Sequence, residues 1–211
     1  MAHAVDTIQA VSVPGRSRAS GVMGREVLAP VAFILAAVIS SYALSGLPNV
    51  KLLDLLVFVA AYSLGLRRGM TVAVGTWLVY ATFNPWGPTH LLLMSTQLVA
   101  ATGYVAAGVA MRRLLPPSRM RLRPSRATPL FIAAALVSTL LFDVLTNLYT
   151  GYHWGVIAGG SDYGRWVWTA VTNPGALFFM AVHASSNAML FPVFGPLLIK
   201  GAERAKGRLG W

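Results

Sequence analysis

The sequence predicts an all-α membrane protein: a six-transmembrane-helix bundle with both termini cytoplasmic. Composition is the first reason, because 56% of the 211 residues are hydrophobic and only 11% are charged. Soluble domains average roughly 45–50% apolar and about 25% charged residues. The second reason is that six apolar segments alternate with short connections whose Lys and Arg content also alternates. Cysteine is absent, which excludes disulfide scaffolds and thiolate metal sites.

Hydropathy over a window of about 19 residues separates six candidate helices. They lie at residues 27–47, 52–66, 69–83, 90–111, 128–149 and 176–199. The second and third are shorter than the roughly 20 residues of a full span and are separated by the Gly-Leu-Arg-Arg-Gly turn. We interpret them as tilted spans, or spans in locally thinned membrane, rather than as a membrane-dipping hairpin. Residues 25–200 then form one membrane domain, between a disordered basic cytoplasmic tail at 1–24 and a cytoplasmic tail at 201–211.

The positive charges predict the orientation of these helices. Of the 17 Lys and Arg residues, only Lys51 and Arg165 lie in the first, third and fifth connections. The other 15 lie in the two tails and in the second and fourth connections. Because loops rich in Lys and Arg stay in the cytoplasm, six crossings with both termini inside are expected. This distribution also explains the net charge of +11 through contacts with membrane lipid. We expect no nucleic-acid partner, since no groove-reading element is recognisable.

Polar side chains recur at one depth in the last three helices. Gln97, Asp143 and His183 each lie six or seven residues below the predicted outer end of their helix. At 1.5 Å per residue this is roughly 9–11 Å below the outer boundary. Asn147 and Asn187 lie one turn away from Asp143 and His183. A carboxylate at mid-membrane costs about 2.5–3.5 kcal/mol, so such a residue is expected to have an ionic partner or a functional role. The alternatives are a substrate pocket open to the outside and a structural cluster with an Asp143–His183 ion pair.

Two outer connections are rich in aromatic side chains. The first, FNPWGPTH at 83–90, is stiffened by two prolines and a glycine, and is expected to form one wall of a ligand site. The second, at 151–175, has glycines at 151, 155, 159, 160 and 164. These suit a hinged lid, although aromatic residues here also fit an ordinary interfacial belt. The candidate binding residues of the two connections are Asn84, Trp86, His90, His153, Trp154 and Trp166.

A stripe of small residues marks one face of the first helix. Ala32, Ala36 and Ser40 follow each other at intervals of four. Small side chains let another helix approach closely. The stripe serves either packing within this chain or docking to a separate membrane protein.

These segments resemble the substrate-binding S components of energy-coupling factor (ECF) transporters. The likeness covers roughly residues 27–200: six short helices, the Gly-Leu-Arg-Arg-Gly turn, the outer FNPWGP loop, LLFDVLTNL at 140–148 and HASSNAML at 183–190. The resemblance implies a protein of the prokaryotic inner membrane that binds a vitamin or related organic micronutrient from outside. Helices four to six and the outer loops would hold the substrate, with Gln97, Asp143, Asn147, His183 and Asn187 among the contacts.

The resemblance also implies partners. A transmembrane coupling subunit would dock on Ala32 and Ala36, and a pair of separate ATPases would supply energy. This chain itself has no G-x-x-x-x-G-K-[ST] loop. Nickel and cobalt members of the family carry an N-terminal Met-His ligand, whereas here His3 follows Ala2. We therefore expect an organic substrate, with neither a metal site nor a cofactor.

Two other classes of function are open. One is a non-transporting membrane scaffold, which has no need for polar groups at one depth. The other is a membrane-embedded enzyme using Asp143 and His183 as acid and base. No paired-carboxylate motif, nucleophile elbow or metal-ligand spacing occurs in the sequence, so we expect no enzymatic activity.

Overall fold

The computed structural model describes residues 24–122 and 124–209. In these two ranges the chain forms seven α-helices and no β-strand. A π-helical turn, Gly24–Leu28, precedes the first helix, and a 3-10 turn, Pro117–Arg119, lies between the fourth and fifth. All but the last residue of the predicted tail at 1–24 lies outside the described residues, as do Arg123 and residues 210–211. The helices are α1 (Ala29–Ala43), α2 (Leu53–Leu64), α3 (Leu66–Thr82), α4 (Leu91–Leu114), α5 (Thr128–Ile157), α6 (Tyr163–Thr172) and α7 (Pro174–Leu209).

Each of the six predicted apolar segments is a helix. Four stretches are long and apolar enough to cross a membrane, namely Glu26–Ala43, Leu91–Leu114, Thr128–Ile157 and Pro174–Arg208. Many large hydrophobic side chains are exposed on them, as at Val137, which is typical of a surface that meets lipid rather than water. The fold therefore fits the predicted all-α membrane protein. Six crossings and cytoplasmic termini stay predictions.

The short helices α2 and α3 meet at a single glycine. Gly65 ends α2 with φ 87°, a left-handed conformation that glycine adopts without steric cost. All 12 side chains of α2 are buried, because α1, α3, α4 and α7 pack around it. At 1.5 Å per residue α2 is about 18 Å long, shorter than a hydrocarbon core of about 30 Å. It is therefore the central helix of the bundle and has no lipid-facing side.

Aromatic rings fix the helices around α2. The ring of Phe58 lies 5.0 Å from that of Phe191 in α7 and 6.0 Å from that of Phe131 in α5. Trp77 of α3 stacks on Phe142 of α5 at 5.1 Å. Offset and edge-to-face pairs of this kind add about 0.5–1.5 kcal/mol to the burial of the rings. They set the mutual positions of α2, α3, α5 and α7.

Ionic contacts join α4 and α7 near the C-terminal end of α2. Arg112 donates to Glu203 Oε1 at 2.8 Å and to the Tyr62 carbonyl at 3.1 Å, while Lys206 donates to Glu203 Oε1 at 2.9 Å. The Tyr62 hydroxyl donates to the Leu115 carbonyl at 2.6 Å. These contacts tie α4, α7 and the end of α2 together, and the two cavities described below lie toward the other end of α2.

Candidate functional site

A buried triad of Asp54, His183 and Asp143 joins α2, α7 and α5. His183 Nε2 lies 2.7 Å from Asp54 Oδ2, and His183 Nδ1 lies 2.8 Å from Asp143 Oδ1. The Asp54 and His183 side chains are each 1% exposed, and that of Asp143 is 8% exposed. The Asp143–His183 contact that belonged to the structural-cluster alternative is therefore present, and Asp54 adds a second carboxylate to it.

The two hydrogen bonds fix the charge of the triad. Each bond needs one proton, because carboxylate oxygens and bare ring nitrogens only accept. An imidazolium between two carboxylates supplies both protons, and so does a neutral imidazole beside one protonated carboxyl group. Both arrangements carry one net negative charge. A charge buried at this depth is costly unless it is balanced or solvated.

Lys51 supplies the balancing positive charge. It lies three residues before Asp54, with which it interacts electrostatically, and its Nζ is 5.8 Å from the centroid of the Trp77 ring. Among the described residues no carboxylate forms an ion pair with it. Its ammonium group remains available to a molecule beside the triad.

A polar network continues from Asp54 into the bundle. Asn187 Nδ2 donates to Asp54 Oδ2 at 3.3 Å and to Thr139 Oγ1 at 2.9 Å. Thr139 Oγ1 also accepts from the Tyr104 hydroxyl at 3.1 Å. All of these side chains are buried, where an unpaired polar group would be costly. Asn187 thus links α7 to α2 and α5 rather than contacting open space.

Two adjoining cavities, of about 520 and 260 Å³, lie beside the triad. The larger extends among the connection before α2, the end of α3 and the loop that follows α3. The smaller lies between α4, α5 and the start of α7. Residues lining both are Asn49, Lys51, Gln97 and Phe179. Asp143 is the member of the triad that lines the smaller one, together with Phe142, Thr146, Asn147, Ala176 and Met180.

Two residues that line the smaller cavity each have a buried side-chain oxygen with no hydrogen-bond partner among the described residues. They are Asp143 Oδ2 and Gln97 Oε1. Buried side-chain acceptors in proteins nearly always have a donor. Asp54 Oδ1 and Asn187 Oδ1 are likewise unpaired among the described residues, although neither residue lines either of the two cavities.

The structure brings seven of the predicted site residues to the cavities or to the network beneath them. The exposed Trp86 and the half-buried Asn84 line the larger cavity. Gln97 lines both, and Asn147 lines the smaller. The other three are Asp143, His183 and Asn187, as described above.

Four of the predicted site residues line neither cavity. They are His90, His153, Trp154 and Trp166. The rings of His90 and His153 are 5.5 Å apart, and Tyr149 stacks on His153 at 5.9 Å. The Tyr149 hydroxyl also lies 3.3 Å from His90 Nδ1, so these rings fasten the loop before α4 to α5. Trp154 is partly exposed and Trp166 is half-buried.

The predicted loop at 151–175 is wrong over most of that range. Helix α5 continues to Ile157, and α6 occupies Tyr163–Thr172. At Gly151 an added Cβ would lie 2.4 Å from Val167 Cα, so this glycine permits α6 to pack closely on α5 and is not a hinge. Asp143 consequently lies 14 residues before the end of its helix, farther than the sequence indicated.

Sequence reasoning missed Asp54 and Lys51. Asp54 and Tyr62 are the ionisable residues of the second apolar segment, and a carboxylate in such a segment is a reason to suspect function. Asp54 lies near the start of the segment, and charges at the end of a span are common, so its position did not mark it as a site residue. Lys51 lies in the first connection, where a single Lys indicates only the orientation of the chain.

The small-residue stripe on α1 faces away from the bundle. Ala32 and Ala36 are exposed and Ser40 is half-buried. The opposite face of α1 is buried through Ala37 and Ser41, whose hydroxyl donates to the Ala37 carbonyl at 2.8 Å. No part of the described chain covers the two exposed alanines, so the stripe is free to meet another molecule.

No arrangement of three or more His, Cys, Asp or Glu residues suited to a metal ion occurs in the described ranges. Comparison of the chain with protein-family models, curated proteins and solved structures finds no match. The geometry of the site therefore carries the functional interpretation.

Proposed function

We propose that this chain is the substrate-capture subunit of an ECF-type importer. It binds a vitamin or related organic micronutrient from the outer side of a prokaryotic cell membrane. A separate transmembrane coupling subunit and a pair of ATPases then drive delivery inward. The observation that carries the proposal is the pair of adjoining cavities at one end of the bundle, with Gln97, Asp143 and Lys51 on their walls.

The cavities have the character of a small-molecule site. Ligand sites measure about 300–1,000 Å³ and combine apolar walls with a few polar groups that orient the ligand. Here the larger cavity, at about 520 Å³, is within this range and is lined by Trp77, Tyr80 and Trp86 beside a few amides. A scaffold protein has no use for a polar recess of this kind.

The state of His183 favours binding over catalysis. Both of its ring nitrogens are engaged by carboxylates, and its side chain is 1% exposed. A general base needs a free nitrogen within about 2.6–3.2 Å of the proton that it removes. His183 has none in this arrangement, and its role is to hold Asp143.

The predicted topology agrees with capture from outside. Lys51 precedes α2, and Asn84 and Trp86 follow α3, both in connections that are poor in Lys and Arg. Such connections are expected on the outer side. The exposed Ala32 and Ala36 would let the coupling subunit approach α1 closely.

The test is to identify what the protein carries. We expect mass spectrometry of gently purified protein to detect one small organic molecule, released on denaturation. Gln97→Ala should reduce its occupancy, because Gln97 lines both cavities. His90→Ala is the matched control, since His90 lies on the same side and outside both cavities. If no small molecule is released and no vitamin changes the tryptophan fluorescence, a scaffold becomes the better interpretation.

A further inference from the structure

We infer that an anionic phospholipid binds in a groove between α4 and α5. One acyl chain lies in the groove, and the headgroup phosphate meets arginines of the connection between the two helices, on the cytoplasmic side in the predicted topology. The groove shares no lining residue with the two cavities described above. The inference therefore goes beyond the proposed function and does not depend on it.

The walls of the groove are hydrocarbon. It has a volume of about 480 Å³ and is lined by glycine, alanine, valine, leucine and methionine from residues 103–114 of α4 and 130–141 of α5, with Ser138. The Ser138 hydroxyl is already used, because it donates to the Gly103 carbonyl at 3.3 Å. Ala107 and Ala134 pack against the core, whereas Val137 is 69% exposed. Such a groove suits a hydrocarbon chain rather than a polar solute.

The length of the groove matches one leaflet of a membrane. At 1.5 Å per residue, each of its two walls rises about 16 Å between its first and last lining residue. The hydrocarbon core of a bilayer is about 30 Å thick, so one leaflet contributes about 15 Å. The end of the groove at Leu114 and Leu130 adjoins the connection between α4 and α5. A lipid whose chain fills the groove therefore has its headgroup at this connection.

Uncompensated positive charge lies at the same end. Four exposed arginines follow or precede the groove in sequence, namely Arg113, Arg119, Arg121 and Arg126. None of the four forms an ion pair with another described residue, and the sequence has no Asp or Glu between Asp54 and Asp143. Arginine binds phosphate through paired N–H groups. Basic pockets between helices on the cytoplasmic side bind anionic lipid headgroups in this way.

Two of these arginines continue the walls of the groove. Arg113 lies three residues after Ala110, which lines the groove, and residues three apart share one face of a helix. Arg126 lies two residues before Thr128, where α5 begins. The two side chains therefore approach the end of the groove from its two walls.

A second copy of this chain is a poorer occupant. In a symmetric dimer within one membrane the two-fold axis lies along the membrane normal, so equal depths of the two chains meet. The arginines at the end of one groove would then face those of the other copy. Like charges across an interface oppose association, whereas an anionic lipid neutralises them.

The test compares two phospholipids with the same acyl chains. The purified full chain in mild detergent is titrated with palmitoyl-oleoyl phosphatidylglycerol, which is anionic, or with palmitoyl-oleoyl phosphatidylethanolamine, which has no net charge. Native mass spectrometry counts the lipids bound per chain. We expect one phosphatidylglycerol to be retained, with an affinity at least about 10-fold higher than that of phosphatidylethanolamine.

Charge variants test the headgroup site. Each basic side chain near the surface strengthens anionic-lipid binding about fivefold, so Arg113→Gln combined with Arg126→Gln should lower the phosphatidylglycerol affinity about 25-fold. The matched control is Arg67→Gln combined with Arg204→Gln, which removes the same net charge at exposed positions outside the groove. This control should keep both the affinity and the preference for phosphatidylglycerol.

A filled groove tests the acyl-chain site. Ala110→Phe places a ring in the groove and should reduce the binding of both lipids; since Ala110 is exposed, the bundle can accommodate the larger side chain. Ala133→Phe, on the facing wall, serves if the first variant does not fold. Ala181→Phe makes the same change at an exposed position of α7 outside the groove and should leave binding unchanged.

The outcomes are distinct. A preference for phosphatidylglycerol that the arginine pair and the groove variant both weaken, and that both controls retain, supports the inference. Equal binding of the two lipids, an equal loss in a variant and its control, or full binding by the filled groove overturns it. A dimer that forms without lipid and that Ala110→Phe dissociates also overturns it, because a second copy then occupies the groove. None of these results bears on the capture function.

Discussion

Replacement of Asp54 tests whether the triad holds the bundle together. Asp54→Ala removes the acceptor of His183 Nε2 and of Asn187 Nδ2, while Asp54→Asn keeps the size of the side chain and one acceptor oxygen. The two variants therefore separate the loss of the carboxylate charge from the loss of all contacts. We expect both to lower the free energy of unfolding, the alanine variant more than the asparagine variant.

The expected loss of unfolding free energy follows from the burial of Asp54 and from its contact distances. Asp54 accepts at 2.7 Å from His183, and both side chains are 1% exposed. Removal of one partner from a buried ion pair costs about 3–5 kcal/mol, because the other group stays buried without it. The 3.3 Å contact with Asn187 adds about 0.6 kcal/mol, the average for polar contacts between membrane helices. Asp54→Asn forfeits the charge-assisted part of the bond, about 1.5–3 kcal/mol.

The assay is reversible unfolding in mixed micelles of a mild and a denaturing detergent at pH 7, followed by tryptophan fluorescence. Asp162→Asn is the matched control. Asp162 caps α6 by accepting from the Arg165 backbone N–H at 3.3 Å, and asparagine caps about as well as aspartate, so a change of a few tenths of a kcal/mol is expected. If Asp54→Ala changes the unfolding free energy by less than about 0.5 kcal/mol, as surface substitutions do, the triad does not stabilise the bundle and the reasoning fails.

Three further predictions concern other parts of the chain. Gly151→Val should destabilise the protein by about 1–3 kcal/mol and speed hydrogen exchange in α6, because the valine side chain meets the backbone of α6. Gly164→Ala is the control, since an added Cβ there meets open space and should change neither quantity. Equal effects of the two substitutions would contradict the packing argument. Since the chain has no cysteine, Ser161→Cys should react with an impermeant maleimide on intact cells and Ser118→Cys only after permeabilisation; the reverse pattern would invert the proposed topology. Ala36→Trp should abolish co-purification with a co-expressed coupling subunit while ligand binding is retained, and unchanged assembly would remove α1 as the docking helix.

Hydropathy was sufficient to locate six of the seven described helices, and the shared depth of Asp143 and His183 was sufficient to suggest an ion pair between them as one of two alternatives. Both residues lie in long apolar segments, where a polar side chain turns toward the bundle. Asp54 was not predictable in the same way, because it is 129 residues from His183 in sequence. Nothing local to α2 tells which helix it faces.

The outer end of α5 and the whole of α6 were also missed, for a different reason. Glycine and aromatic residues lower the hydropathy after residue 149 and suggest a loop. Helix α5 nevertheless continues, since Gly151 gives α6 room to pack against it. The start of α6 had a local sign in Asp162, whose side chain caps the helix, a residue type preferred at that position. The packing of α6 on α5 determines the structure here, and a single window of sequence carries no information about contacts between two helices.

The enclosure of α2 has a consequence for biogenesis. This helix leaves the ribosome before α4 and α7, yet those later helices supply much of its surroundings and the histidine that pairs with its carboxylate. A 12-residue segment bearing an unpaired acid is a poor candidate for stable insertion by itself. We therefore expect the nascent hairpin of α2 and α3 to wait at the insertion machinery until synthesis is almost complete, and truncated chains that end before His183 to be degraded.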